Sequence, residues 1–153
     1  MFRSLAIVAA TVLAAPAFAD GHAVDLTPTG DAAAGEKAFR QCISCHVVVN
    51  DEGETLAGRK SKTGPNLYGV VGSTAGSVEG FKYSDIIMLA GEQGVIYDEA
   101  SFVGYVQDPT GWLREVTGDN GRGKMTFKVR KEEDAVNLYA YLASLAPLPE
   151  PES

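Results

Sequence analysis

Thiols, imidazoles and thioethers are scarce in this chain. Its 153 residues include 2 cysteines, 2 histidines, 3 methionines and 1 tryptophan. So few cysteines exclude the disulfide-dense scaffold of small secreted domains, and a staple between Cys42 and Cys45 would close too short a loop to stabilise much. Bases are also in deficit, 13 against 20 acids, which argues against general nucleic-acid binding. Most of the bases fall in two short stretches, Arg59 to Lys62 and Arg122 to Lys131, which would form one basic face if they meet in space. Beyond the N-terminal stretch there is no long apolar run, so no later segment is expected to cross a membrane and the mature protein is expected to be soluble. There is no internal repeat. With 45% hydrophobic and 22% charged residues, the chain has a globular balance and enough length for one domain with a core.

The N-terminal stretch is what a signal peptide requires. "MFRSLAIVAATVLAAPAFA" carries one positive charge at Arg3, an apolar run from Leu5 to Ala15 and a small-residue Ala17-Phe18-Ala19 ending. An uncleaved membrane anchor is the alternative, but the run is short for one. Residues 1–19 are therefore expected to be a signal peptide cleaved after Ala19. Residues 20–30 are expected to be a flexible leader, 31–146 a folded domain and 147–153 a disordered tail. Export would place the protein in an oxidising compartment.

The domain reads as mostly α, with too few long apolar helices for a conventional bundle. A helix should start at Asp31, whose carboxylate can cap free amides. Gly35 weakens it but lets another helix approach closely. Residues 47–80 are glycine-rich and loop-like, with a short hairpin possible around "GETLAGRK". A loop this long in a small domain needs something to wrap around. "SDIIMLA" predicts a short helix from Ser84. "DEASFVGYVQDP" predicts one capped by Asp98 and stopped before Pro109, with Phe102, Tyr105 and Val106 on its apolar face. "GWLREV" is a further short helix and "TGDNGRGKMTF" a flexible loop. The last helix is expected over Lys131 to Leu145, with acids in its first turn and a stripe of Ala135, Leu138, Leu142 and Leu145. A bound prosthetic group would supply the missing core.

Both cysteines lie in "QCISCHVVV", three apart and followed at once by His46. Three chemistries compete for this pattern. Two thiols at a helix end can add to the vinyl groups of one haem, with His46 as an axial ligand of its iron. A dithiol oxidoreductase would instead need a strand before the motif and a helix starting at it, the reverse of the order here. A zinc site would need His22 as well, and His22 stands in the leader. The helix leading into the motif and the export signal agree with haem.

A six-coordinate haem takes a second axial ligand, for which methionine is the soft candidate. Met1 leaves with the signal peptide, and Met88 is explained by an apolar helix face. Met125 lies in "GRGKMTF" with no helical stripe to join, and is the better candidate. Histidine plus thioether raises a haem potential and fills both axial positions, which points to electron transfer. A ligating histidine usually donates its other N–H to a carbonyl, and the stiff Pro65 segment offers one. Tyr83, Tyr97, Tyr105 and Trp112 are polar-tipped aromatics suited to enclosing a haem, though each could serve as ordinary core.

The motifs "GEKAFRQCISCH", "KTGPNLYGVVG", "GFKYSD", "YVQDPTGWL", "GKMTF" and "NLYAYL", in that order, resemble the class I c-type cytochromes, and among them bacterial cytochrome c2 and the c550-type carriers. The resemblance implies a class I cytochrome c fold, with N- and C-terminal helices packed across each other and Gly-rich loops wrapping one covalent haem c. It implies thioethers at Cys42 and Cys45, axial ligands at His46 and Met125, and a Pro65 carbonyl accepting from His46. Tyr83 would bond a propionate and Tyr105 would lie near the Met125 sulfur. Gly35 and Phe39 would pack on Leu138 and Tyr141. Lys62, Lys82, Lys124 and Lys128 would form a basic rim with Phe127 at the haem edge. The chain departs from the family at Ser73 for the usual propionate arginine, Tyr97 for a tryptophan, Ile87 for an asparagine and Gly123 for the threonine before Lys-Met. The implied function is that of a periplasmic monohaem carrier, not an enzyme and expected to be monomeric. It would take electrons from a cytochrome bc complex to a photosynthetic reaction centre, a terminal oxidase or a denitrification enzyme. The alternative is a peroxidase-like haem site from which Met125 departs, motivated by its glycine-flanked loop.

Overall fold

The computed structural model describes residues 24–149. The expected signal peptide, the Ala19 cleavage point, His22 and the last residues of the tail lie outside them. Helix α1 spans Ala32–Ala38 and continues as a 3₁₀ turn over Phe39–Gln41. Two short strands follow, β1 (Val47–Val49) and β2 (Thr55–Gly58). Then come α2 (Asp85–Glu92), α3 (Glu99–Gln107), α4 (Pro109–Thr117) and α5 (Glu132–Ser144). No helix among the described residues is long and apolar enough to cross a membrane.

The helix starts follow from local chemistry. Asp31 accepts from the amides of Ala33 and Ala34, at 2.8 and 3.0 Å, and so satisfies two of the four orphan donors of α1. Asp98 caps α3 by accepting from the Ser101 amide. Asp108 then ends α3 and begins α4, accepting from the Gly111 amide, with Pro109 in the first turn where its missing N–H is harmless. For that reason α4 begins at Pro109, earlier than "GWLREV" suggests. In α5 the expected stripe is where it should be: Ala135, Leu138 and Leu142 are buried, and Leu145 packs against their cluster just past the helix end.

The frame is the crossing of α1 and α5, with α3 against α5 and α2 against α4. Gly35 makes the crossing possible. A Cβ there would overlap the Asn137 carbonyl and stand 2.7 Å from Tyr141 Cβ. One helical turn further, the Phe39 and Tyr141 rings meet at 5.6 Å. The partners of Gly35 are thus Asn137 and Tyr141, while Leu138 turns into the cavity described below.

One expectation is corrected here. The hairpin forms between β1 and β2, pairing Val47 with Gly58 and Val48 with Ala57, so its first strand is the "VVV" directly after His46. Three β-branched residues there favour an extended chain over a loop. Residues 24–31 carry long-range hydrogen bonds. Thr29 donates from its amide and hydroxyl to Glu99, Tyr139 donates to the Leu26 carbonyl at 3.2 Å, and the Asp31 amide donates to Asn137.

Candidate haem site

A cavity of ≈ 270 Å³ lies among the 3₁₀ turn after α1, the helices α2, α3 and α5, and the loops, and it is predominantly apolar. It gathers residues far apart in sequence. Cys42, Cys45 and His46 line one part, Pro65 a second, Tyr83, Tyr97 and Tyr105 a third, and Met125 closes the set. Trp112 is the exception. It does not line the cavity but stands behind Tyr105, ring centroids 5.8 Å apart, with its indole against Gly104. Tyr105 in turn meets Tyr97 at 5.7 Å, so the three rings form one layered wall.

The thiols and imidazole are placed by the turn that leaves α1. The Cys45 and His46 amides both donate to the Cys42 carbonyl, which winds the motif tightly. Next, β1 is held on its other side by residues 64–67. The Gly64 amide donates to the Cys45 carbonyl at 2.7 Å and Leu67 to Val47 at 2.9 Å. The Asn66 side chain bonds both the amide and the carbonyl of Val49. This brings the Pro65 carbonyl to 3.0 Å from His46 Nδ1. With Nδ1 donating there, Nε2 is left unprotonated as a ligand.

Electrostatics separate the competing chemistries. Burial pushes the Cys42 thiol up to about 11, with Cys45 adding to it. A redox-active dithiol depends on a lowered thiol pKa, and the shift at Cys42 runs in the opposite direction. Helix-then-motif order, now observed, agrees. Among the described residues no three His, Cys, Asp or Glu side chains gather as a metal site. Burial lowers the His46 pKa, opposed by its bond to Pro65, so the imidazole stays neutral and ligand-competent at pH 7. Burial likewise holds Tyr97 well above the phenol range and takes Tyr105 to about 12, so both remain hydrogen-bond donors.

Two residues that sequence reasoning passed over complete the site. Gly64 lies beside the imidazole, and a Cβ there would come within 2.6 Å of His46 Nδ1. Ser84 heads α2, yet its hydroxyl caps nothing; its Oγ is buried, unpartnered, and belongs to the cavity lining. An orphaned buried hydroxyl is costly unless a bound group satisfies it. An apolar cavity with paired thiols, a neutral imidazole, a thioether and one unpaired hydroxyl therefore fits a haem with its propionates. The "GPN" and "YS" motifs were the available signals, but only the folded structure shows the close approach and the burial.

The departures from the family pattern have definite places. Ser73 lines the cavity and bonds the Val70 carbonyl at 2.8 Å. Ile87 is buried in the cavity wall. Gly123 stands off the cavity, its amide bonded to Thr110 Oγ1 at 3.2 Å. At the rim, Thr63 and Lys124 both line the cavity. Lys124 Nζ donates to the Lys82 carbonyl, and Lys128 pairs with Asp108 at 2.7 Å.

Comparison with known proteins identifies the class. The chain is 67% identical over 118 residues to the cytochrome c2 of Rhodovulum adriaticum, covering 76% of this chain and 94% of the relative. It is 44% identical over 145 residues to the cytochrome c-550 of Paracoccus versutus, covering 93% and 87%. The crystal structure of cytochrome c2 from Rhodobacter sphaeroides aligns with a TM-score of 0.76 at 57% identity, over 78% of this chain and 99% of that one. No protein-family model matches the chain. The chain belongs to the cytochrome c2 group of the class I c-type cytochromes, with their fold and one covalently attached haem c as its cofactor.

Proposed function

We propose that this protein is a periplasmic electron shuttle, a carrier and not an enzyme, whose single haem is held by Cys42 and Cys45 and ligated by His46 and Met125. The observation that carries this reading is the 3.0 Å bond from His46 Nδ1 to the Pro65 carbonyl, which commits the imidazole's other nitrogen to the cavity that Met125 also lines. When bound, the haem supplies a one-electron Fe(III)/Fe(II) couple.

The protein's own residues do the rest. Cys42 and Cys45 attach the cofactor to the end of α1. Pro65 fixes the tautomer and the direction of His46. Tyr97, Tyr105, Val106 and Leu138 keep water from the interior, which stabilises the compact wall in both oxidation states. Tyr83 and Ser84 would receive the propionates. With His46 and Met125 both committed to the metal, no position is left for a substrate, which disfavours the peroxidase-like alternative. Lys62, Lys82 and Lys124 are the exposed charges of the docking rim, with Lys128 as a partly neutralised fourth. Such a rim suits brief, salt-sensitive encounters between a cytochrome bc complex as donor and a reaction centre, oxidase or denitrification enzyme as acceptor.

The test is the visible spectrum of the oxidised holoprotein and of Met125→Ala. A weak sulfur-to-iron charge-transfer band at the red end, lost in the variant, is the expected result. A native protein without that band, or a variant that keeps it, would remove Met125 from the ligand set.

A further inference from the structure

We propose that Asp108 is a positioning residue for Met125: one carboxylate, at the junction of α3 and α4, secures both sides of the loop that carries the methionine. This rests on the ligand reading of Met125 given above.

Met125 lies in the irregular segment between α4 and α5, which has no secondary structure of its own to hold it. Apart from Lys124, whose Nζ donates to the Lys82 carbonyl, the segment is fastened to a single short stretch, residues 106–114. On the N-terminal side of Met125, Arg114 Nε donates to the Gly121 carbonyl at 2.9 Å and the Gly123 amide donates to Thr110 Oγ1 at 3.2 Å. On the C-terminal side, Lys128 pairs with Asp108 at 2.7 Å and the Val129 amide donates to the Val106 carbonyl at 2.9 Å.

Thr110 and Arg114 are four apart on α4 and so share a face. Their placement depends on how α4 begins, and Asp108 begins it, its Oδ1 accepting from the Gly111 amide at 3.2 Å. The same Oδ1 receives Lys128 Nζ. One oxygen therefore orients the helix that anchors one flank of the methionine and directly anchors the other flank. The place is shaped for it: a Cβ on Gly111 would come to 2.5 Å from Asp108 Oδ2. Lys128, followed by the Gly111 amide, holds the Asp108 carboxyl below the usual carboxylate range. An exposed ion pair alone contributes little; here its effect lies in joining two anchors that bracket an otherwise unsupported ligand.

The experiment uses the ferric holoprotein and the rate at which added imidazole displaces Met125, read as loss of the red charge-transfer band. Asp108→Asn keeps a capping oxygen and loses the charge; Lys128→Gln loses the same pair from the other side. Each should speed displacement about threefold, in proportion to one partly exposed ion pair, and the double variant should be no faster than either. Asp108→Ala loses the cap as well and should reach about tenfold. Denaturant midpoints are measured alongside, because a merely structural role would lower the midpoint and leave the displacement rate unchanged. That result, or fully multiplicative single effects, would overturn the proposal. A native protein without the band, or a Met125→Ala variant retaining it, would instead overturn the ligand reading, and the two failures are distinct.

Discussion

Ser84 is a serine at a helix start that does not cap its helix, because its hydroxyl is buried without a partner in the cavity lining. Removing a hydroxyl that bonds nothing should be neutral or stabilising, whereas removing one bonded to a propionate should cost about 1 kcal/mol. Denaturant unfolding of the Ser84→Ala holoprotein is expected to show that loss, and Ser84→Thr to avoid most of it. A Ser84→Ala protein as stable as the parent would mean the hydroxyl is unsatisfied in the holoprotein too. Gly64 works by a different principle at the same scale. It contributes no side chain, and its value is the space it leaves for the His46 ring. Such a residue leaves no chemical trace in a sequence beyond being one glycine among 17.

At the scale of elements, the α1–α5 crossing depends on a single absent side chain. Gly35→Ala would drive a methyl group into the Asn137 carbonyl, and the expected cost is about 1–3 kcal/mol despite the better helix propensity of alanine. Circular dichroism with denaturant titration checks this, and a more stable variant would mean that the crossing can shift. The crossing was legible in the sequence because a glycine inside a helix-forming run weakens the helix unless another backbone must come close there. The caps at Asp31 and Asp98 were equally legible: each is a side-chain oxygen next to a periodic apolar run. What sequence could not settle were partnerships made in three dimensions. Val47–Val49 became a strand only because both β2 and residues 64–67 were available to bond it. Thr29 and Leu26 bond Glu99 and Tyr139, distant residues that local composition does not reveal. Of the four aromatics assigned to the haem, three line the cavity, while Trp112 supports one of them from behind. An aromatic of this type suits either layer equally, and only packing decides.

For the molecule as a whole, two expectations follow from charge and burial. The Tyr105 phenol titrates near 10 in an unfolded chain and at about 12 in the folded one. Above pH 10 the unfolded state therefore releases its proton first, so the stability tied to this group is intact below pH 10 and declines as pH rises towards 12. Tyr97 acts in the same direction. Tyr105→Phe should flatten the fall in unfolding free energy over that interval, and an unchanged slope would exclude Tyr105 as a contributor. The second expectation concerns docking. Lys124 donates to a neutral carbonyl and keeps its full charge, whereas Lys128 is countered by Asp108. At low salt, Lys124→Glu should slow electron transfer to an acidic partner protein more than Lys128→Glu does, and the difference should shrink as salt is added. Equal second-order rates for both variants and the parent would remove these lysines from the docking surface.

The crossing of α1 and α5 also has a consequence for the order of events as the chain is made. Its first half emerges with Gly35 and its second with Asn137, roughly a hundred residues later, and long-range closures of this kind come late in folding. The segments that wall the cavity lie between these two halves or on the second, so the cavity cannot be shut until almost the entire chain has emerged. Cys42 and Cys45, released just behind α1, therefore stay reachable through most of that interval, when a cofactor must be joined to them.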